Sequence, residues 1–155
     1  MKRKYIIGVL LLVAAGIGYW AYREYHRVRA DSKKLEAKFR TDANSLLQEF
    51  ISNEAAAAGK YAGQDMIIAV TGTLKNIERT GAGHFTFLLG DTASLSSIRC
   101  LMDTSYNKEW ELFKKGDQLL IKGNFNGYKP DELGIGADVE MNFCVVDSPS
   151  IQQKK

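Results

Sequence analysis

The spacing of apolar residues changes along the chain, and each change marks an element. Tyr5 to Tyr22 is an uncharged run set between Lys2-Arg3-Lys4 and Arg23-Glu24. As a helix rising about 1.5 Å per residue it spans about 27 Å, close to the hydrocarbon thickness of a bilayer. Tyr5 lies at one end and Tyr19, Trp20 and Tyr22 at the other, where amphipathic rings favour the two interfaces. A cleaved signal peptide shares the basic start and apolar middle, and a buried soluble helix shares the apolar run. The aromatic stretch continues past Ala14-Ala15, and the charges cluster outside the run. Both features favour an uncleaved anchor over residues 1–22.

Residues 23–40, with neither glycine nor proline, read as a charged linker or stalk helix. From Thr41 the apolar positions Leu46, Leu47, Phe50 and Ile51 recur at helical spacing. Thr41 is the expected N-cap and Gly59 the expected stop. After Tyr61 the period becomes two. Met66, Ile68, Val70, Gly72 and Leu74 share one face of a first strand, with a bend expected at Gly72. Phe85, Phe87 and Leu89 face inward on a second strand, and Ile98, Cys100 and Met102 on a third. A short helix follows, with Tyr106, Trp110 and Phe113 on one side and Gly116 at its end. The fourth strand places Leu119, Ile121, Gly123 and Phe125 inward. The fifth places Val139, Met141, Phe143 and Val145 inward and Cys144 outward. Residues 148–155 read as a disordered tail.

Composition sharpens this picture in two ways. The chain has 155 residues, 45% of them apolar and 25% charged, as in one globular domain rather than a disordered chain. Its net charge of +3 is an average over unlike parts. Residues 1–40 hold ten Lys or Arg and three acids, a net +7. Eleven bases and fifteen acids, a net −4, remain in residues 41–155.

Three strands, a helix and two more strands, with a bent first strand, is the order of a five-stranded OB-fold barrel. The expected fold is therefore mainly β: an OB barrel over residues 41–147, preceded by a transmembrane helix and an amphipathic helix. The stretches NEAAAAGKYAGQDMIIAVTGTLKNIE, SSIRCLMD, FKKGDQLLIKGNFNGY and VEMNFCVV resemble the tRNA-anti-like OB-fold family. The resemblance covers residues 41–147. It implies a small bacterial protein that carries an N-terminal signal, anchor or lipoprotein segment, without implying that tRNA is bound. No cysteine lies near the apolar run, which excludes a lipoprotein-type anchor.

Orientation pulls two ways. Seven bases follow the apolar run (Arg23, Arg27, Arg29, Lys33, Lys34, Lys38, Arg40) and three precede it. On the positive-inside rule that count favours a cytoplasmic C-terminus. A short basic start running directly into an apolar stretch is instead the layout of an export signal. The expected location is the bacterial inner membrane, single-pass through residues 5–22, with the C-terminal domain periplasmic.

Little in the chain points to chemistry. His84 is the one histidine after residue 40, too few for a two-histidine metal site, and Cys100 and His84 fall on opposite strand faces. No phosphate-binding loop and no nucleophile elbow is present. No enzyme activity, cofactor or metal is expected. In a barrel of this type the third and fifth strands are neighbours, so Cys100 and Cys144 are a candidate disulfide, provided a bulge turns Cys144 inward.

OB-folds take ligands on strands two and three, flanked by the loops between strands one and two and strands four and five. The candidate contacts are His84, Thr86 and Arg99 on that face, with Lys75 and Arg79 beside one loop and Tyr128 and Lys129 beside the other. Stacking on single-stranded nucleic acid needs exposed aromatics and a positive groove. Tyr128 is the one aromatic expected outward, and a charge of −4 repels phosphate. The favoured partner is an envelope protein, peptide or glycan; tRNA or single-stranded DNA is the alternative.

Overall fold

The computed structural model describes residues 12–22, 32–63, 66–81 and 83–147. It divides into two units, Met1–Ala30 and Asp31–Lys155. In the first, residues 12–22 form a helix (α1) whose residues are all exposed, Leu12, Ile17 and Trp20 among them. Among the described residues no helix is long and apolar enough to cross a membrane. Residues 5–11 of the expected span, 23–31 of the expected stalk and the tail 148–155 lie outside the described residues.

The second unit is mainly β and OB-like. Its elements are β1 (Phe39–Asp42), α2 (Ala43–Ser52), α3 (Glu54–Tyr61), β2 (Ile67–Thr80), β3 (His84–Leu89), β4 (Ser97–Met102), α4 (Asn107–Trp110), β5 (Gln118–Pro130) and β6 (Ala137–Val146). The sheet order is β1-β2-β3-β4-β6-β5, and β5 pairs back to β2. The five long strands therefore form a closed cycle of neighbours. One seam in it, β4 with β6, is parallel. Strand β2 serves two partners: Ile67–Thr73 pair with β5 and Leu74–Thr80 with β3. The change of partner falls beside Gly72, where an added Cβ would lie 3.0 Å from Ala43 and 3.3 Å from Leu89. That close approach is one a side chain would block.

The stretch expected to be stalk is built into this unit from Ser32 onward. Residues 39–42 are not helical but form β1, parallel to β2 in the register Phe39↔Ile68 to Asp42↔Thr71. Lys38 N donates to Ile67 O at 2.9 Å. Lys122, which opposes Ala69 and shares its outer side, is buried and donates to the carbonyls of Lys33 and Leu35. Residues 33–35 thus lie over the outside of β2 and β5, which explains why Ile67 and Ala69 are as buried as Ile68 and Val70.

The helix expected from Thr41 is two helices. Asp42, not Thr41, is the N-cap of α2, accepting from Ser45 N at 3.0 Å. Asn53 ends α2 and caps α3, accepting from Ala56 N at 3.0 Å. Gly59 lies inside α3, which runs on to Tyr61. Ile51 is exposed; the buried stripe is Ala43, Leu46, Leu47 and Phe50. Phe50 carries the packing, stacked on Tyr61, Phe125 and Tyr128 with ring centroids 6.0, 4.9 and 5.3 Å away. At the other end Trp110 is buried edge-on to Phe87 and donates Nε1–H to Asp103 O at 2.9 Å.

Alternation holds on β3 and β4, where Phe85, Phe87, Leu89, Ile98, Cys100 and Met102 are buried as expected. It fails on β6. Phe143 takes φ +54°, and it and Cys144 together oppose Gly123 in a β-bulge, where the register slips between Lys122 and Asn124. The extra residue reverses the parity. Phe143 turns out, 40% exposed, and Cys144 turns in, fully buried.

Candidate functional site

The outer face of the sheet can be read row by row from the register. Glu78, Thr86 and Leu101 lie side by side across β2, β3 and β4. Asn76, Leu88, Arg99, Glu140 and Gly127 form the next row, extending through β6 to β5. Ser97, Asp138 and Lys129 form the third. His84 sits at the edge, opposite Thr80.

Arg99 is the centre of this face. Its guanidinium donates to Glu78 Oε2 and lies 3.8 Å from Asp138 Oδ2. Lys129 Nζ pairs with Glu140 Oε1 at 2.7 Å. Asp138 Oδ1 also accepts from Ser97 N at 3.1 Å. Burial raises the Asp138 carboxyl above the ordinary carboxylate value, and the Arg99 guanidinium pulls it partly back. The face thus sets Arg99 and Lys129 among three carboxylates, each of the two with a carboxylate within ion-pair distance, and the Lys75 charge acts on Asp138 from its border.

Of the seven expected contact residues, the structure brings Thr86, Arg99 and Lys129 together on this face, with His84 at its edge. The other three are placed elsewhere. Lys75 sits at the β2 bulge, with Nζ donating to Ser94 O, Ser96 O and Ser97 Oγ at 2.7, 2.8 and 3.0 Å. It clamps the loop between β3 and β4, and desolvation lowers its pKa. Arg79 opposes Phe85 and lies over that ring at 5.1 Å, 3.6 Å from Glu111. Tyr128 opposes Val139 and faces α2, stacked on Phe50.

Glu78, Asp138, Glu140 and Phe143 belong to or border the face and were missed. The acids follow from the register once Arg99 is placed outward. Nothing in the segment VEMNFCVV signals the bulge. Cys100 and Cys144 are both free and buried. Among the described residues no group of three or more His, Cys, Asp or Glu is arranged to hold a metal ion.

This arrangement defines a class: an OB-like domain with a charge-paired outer face. The chain belongs to the tRNA_anti-like family, whose model matches residues 1–134. No curated protein matches it. Among solved structures it is similar to a "putative nucleic acid-binding lipoprotein" from Klebsiella pneumoniae, at 19% identity and a TM-score of 0.51, over 70% of this chain and 91% of that one. An asparaginyl-tRNA synthetase from Entamoeba histolytica matches at 15% identity and a TM-score of 0.39, over 61% of this chain and 24% of the enzyme. The OBody AM3L09, solved bound to hen egg-white lysozyme, matches at 11% identity and 0.40, over 54% and 83%. At 19% identity the likeness to the Klebsiella protein is one of fold.

Proposed function

We propose that the protein is a membrane-anchored, non-catalytic OB-barrel binding module that takes a protein, peptide or glycan ligand on the outer face of β3, β4 and β6. One observation carries the choice of ligand. The cations on that face, Arg99 and Lys129, are engaged by Glu78, Asp138 and Glu140. A phosphate backbone would have to displace those carboxylates and then lie beside them, where nucleic-acid binding instead needs cations open to phosphate. Leu101, 40% exposed in the middle of the face, offers an apolar contact of the kind protein partners use. The anchor rests on the uncharged run from Tyr5 to Tyr22 and on the exposed apolar residues of α1.

Fluorescence titration with single-stranded DNA and RNA oligonucleotides at low and at about 0.15 M salt tests the ligand class. The expected outcome is no saturable binding at micromolar protein. Tight binding that falls steeply with salt and is lost in Arg99→Ala overturns the proposal. A photo-crosslinking residue in place of Leu101 then identifies the partner in cells, and a protein or glycan adduct is expected. A compartment-sensitive reporter fused after Lys155 is expected to report the periplasmic side.

Nucleic acid is the second reading. It is favoured by the description of the Klebsiella neighbour as nucleic acid-binding. A cytoplasmic reporter signal would move it to first place.

A further inference from the structure

The bulge in β6 does more than re-aim Phe143. It carries Cys144 into the interior beside Cys100, on the parallel seam of the sheet. The register runs Cys100↔Met141 and then Met102↔Cys144, so the extra residue of the bulge falls between the two cysteines. Both side chains are fully buried in the apolar core, on neighbouring strands and one register step apart. Cys100 Sγ itself lies 4.0 Å from Ile98 O. The residue opposite is Gly123, where an added Cβ would come within 2.5 Å of Cys144 Sγ. A left-handed backbone at Phe143 and a side-chain-free position on β5 together turn Cys144 into the interior, on the strand beside Cys100.

We propose that Cys100 and Cys144 are a modification site, a dithiol that closes to an intramolecular disulfide tying β4 to β6. The co-reactant is a disulfide-bearing oxidant, small-molecule or protein. One cysteine thiolate attacks a sulfur of that oxidant, giving a mixed disulfide and releasing one carrier thiolate. The second cysteine, as thiolate, displaces the other half of the carrier and forms the Sγ–Sγ bond. The two cysteines lose two protons and two electrons in all, and the oxidant is reduced to two thiols.

Burial pushes the Cys144 thiol well above its ordinary value, so exchange on the closed fold is slow. The bond forms while the chain is folding, before β6 covers Cys100. The same burial then shields it from reductant. The ring it closes holds the 43 residues from Leu101 to Phe143, including α4, β5 and the loop before β6, and so constrains the unfolded chain strongly. This inference does not depend on which ligand the outer face takes.

The test uses the full-length chain in mild detergent, unfolded and reduced in urea, then refolded with a mixture of reduced and oxidised glutathione. Remaining thiols are alkylated and the protein is digested with trypsin without reduction. The expected product is the peptide beginning at Cys100 joined to the peptide containing Cys144, two hydrogens lighter than the separate pair. Complete alkylation of both cysteines in the folded product overturns the proposal. So does glutathione held as a mixed disulfide on either one, or a link between two chains.

Discussion

Gly123 and Cys144 show how a single side chain limits this fold. Gly123→Ala brings its Cβ to 2.5 Å from Cys144 Sγ and 3.1 Å from Asn142 O. It should cost about 1–3 kcal/mol, the usual range for overpacking a well-filled interior. Cys144→Ala removes the sulfur, so the double variant should lose less than the sum of the two single changes, by about 1 kcal/mol of coupling in urea denaturation. Additive losses would mean that the backbone contact with Asn142 is the true obstacle. Asp42 offers a second test. Its carboxylate accepts from Ser45, and that bond holds its pKa below the ordinary carboxylate value. Asp42→Ala should cost about 1 kcal/mol, as N-cap removals do. Because the folded pKa is depressed, the charged cap contributes above the ordinary carboxylate range and is lost as pH falls through the folded value. Asp42→Asn keeps an acceptor that does not titrate, so its stability loss relative to wild type should shrink as the pH is lowered. Parity made most core residues legible in the sequence, since Phe85, Phe87, Leu89, Ile98, Cys100 and Met102 simply alternate. It could not reveal a left-handed residue at Phe143, because a phenylalanine carries none of the chemistry that marks such positions.

Among the elements, α2 depends most on one residue. Phe50 stacks on rings from α3 and β5 together, Tyr61 from the first and Phe125 and Tyr128 from the second. Phe50→Ala should destabilise the second unit by about 3–5 kcal/mol. The same change uncovers Tyr128, which can be followed by its fluorescence quenching. The pair of helices was legible as helical from its apolar spacing, but its division at Asn53 was not. The side chain of Asn53 caps α3 and its backbone N–H closes α2 through Glu49 O at 3.0 Å. Such a capping choice competes with simple continuation, and apolar period alone does not decide between them. Strand β1 was equally hidden. Its sequence, FRTD, has one apolar residue, and its strand character comes from the edge of β2 that it pairs with.

For the molecule as a whole, the charge divides less sharply than a boundary at residue 40 implies, since the second unit, Asp31–Lys155, holds fifteen bases and seventeen acids, a net −2, and the fold arranges its carboxylates. Carboxylates that look scattered in the chain meet at Arg99, because the register aligns β2, β4 and β6 there. No local pattern records that meeting, so the ligand face was only half legible. Where the folded unit begins was also misplaced. A fragment starting at Ser32 should fold with the stability of the whole second unit. One starting at Thr41 loses the carbonyls of Lys33 and Leu35 that satisfy buried Lys122. A buried charge that loses two of its acceptors is costly even with Asp147 still 3.3 Å away, and Ile67 and Ala69 lose their cover. That fragment should melt well below the longer one and aggregate on heating; equal melting temperatures would show that the segment adds nothing.

The segment from Ser32 to Asp42 also has a mechanical consequence. Tension arriving along the chain at Ser32 is borne first by Lys122, by the pairing of Lys38 with Ile67, and by the rungs of β1 on β2. Helix α2 follows β1 directly and feels none of it until those rungs give. Drawn out from that end, the chain should yield in two stages. The first would release these eleven residues, a gain in contour length of up to about 40 Å, and the second would open the closed cycle of strands.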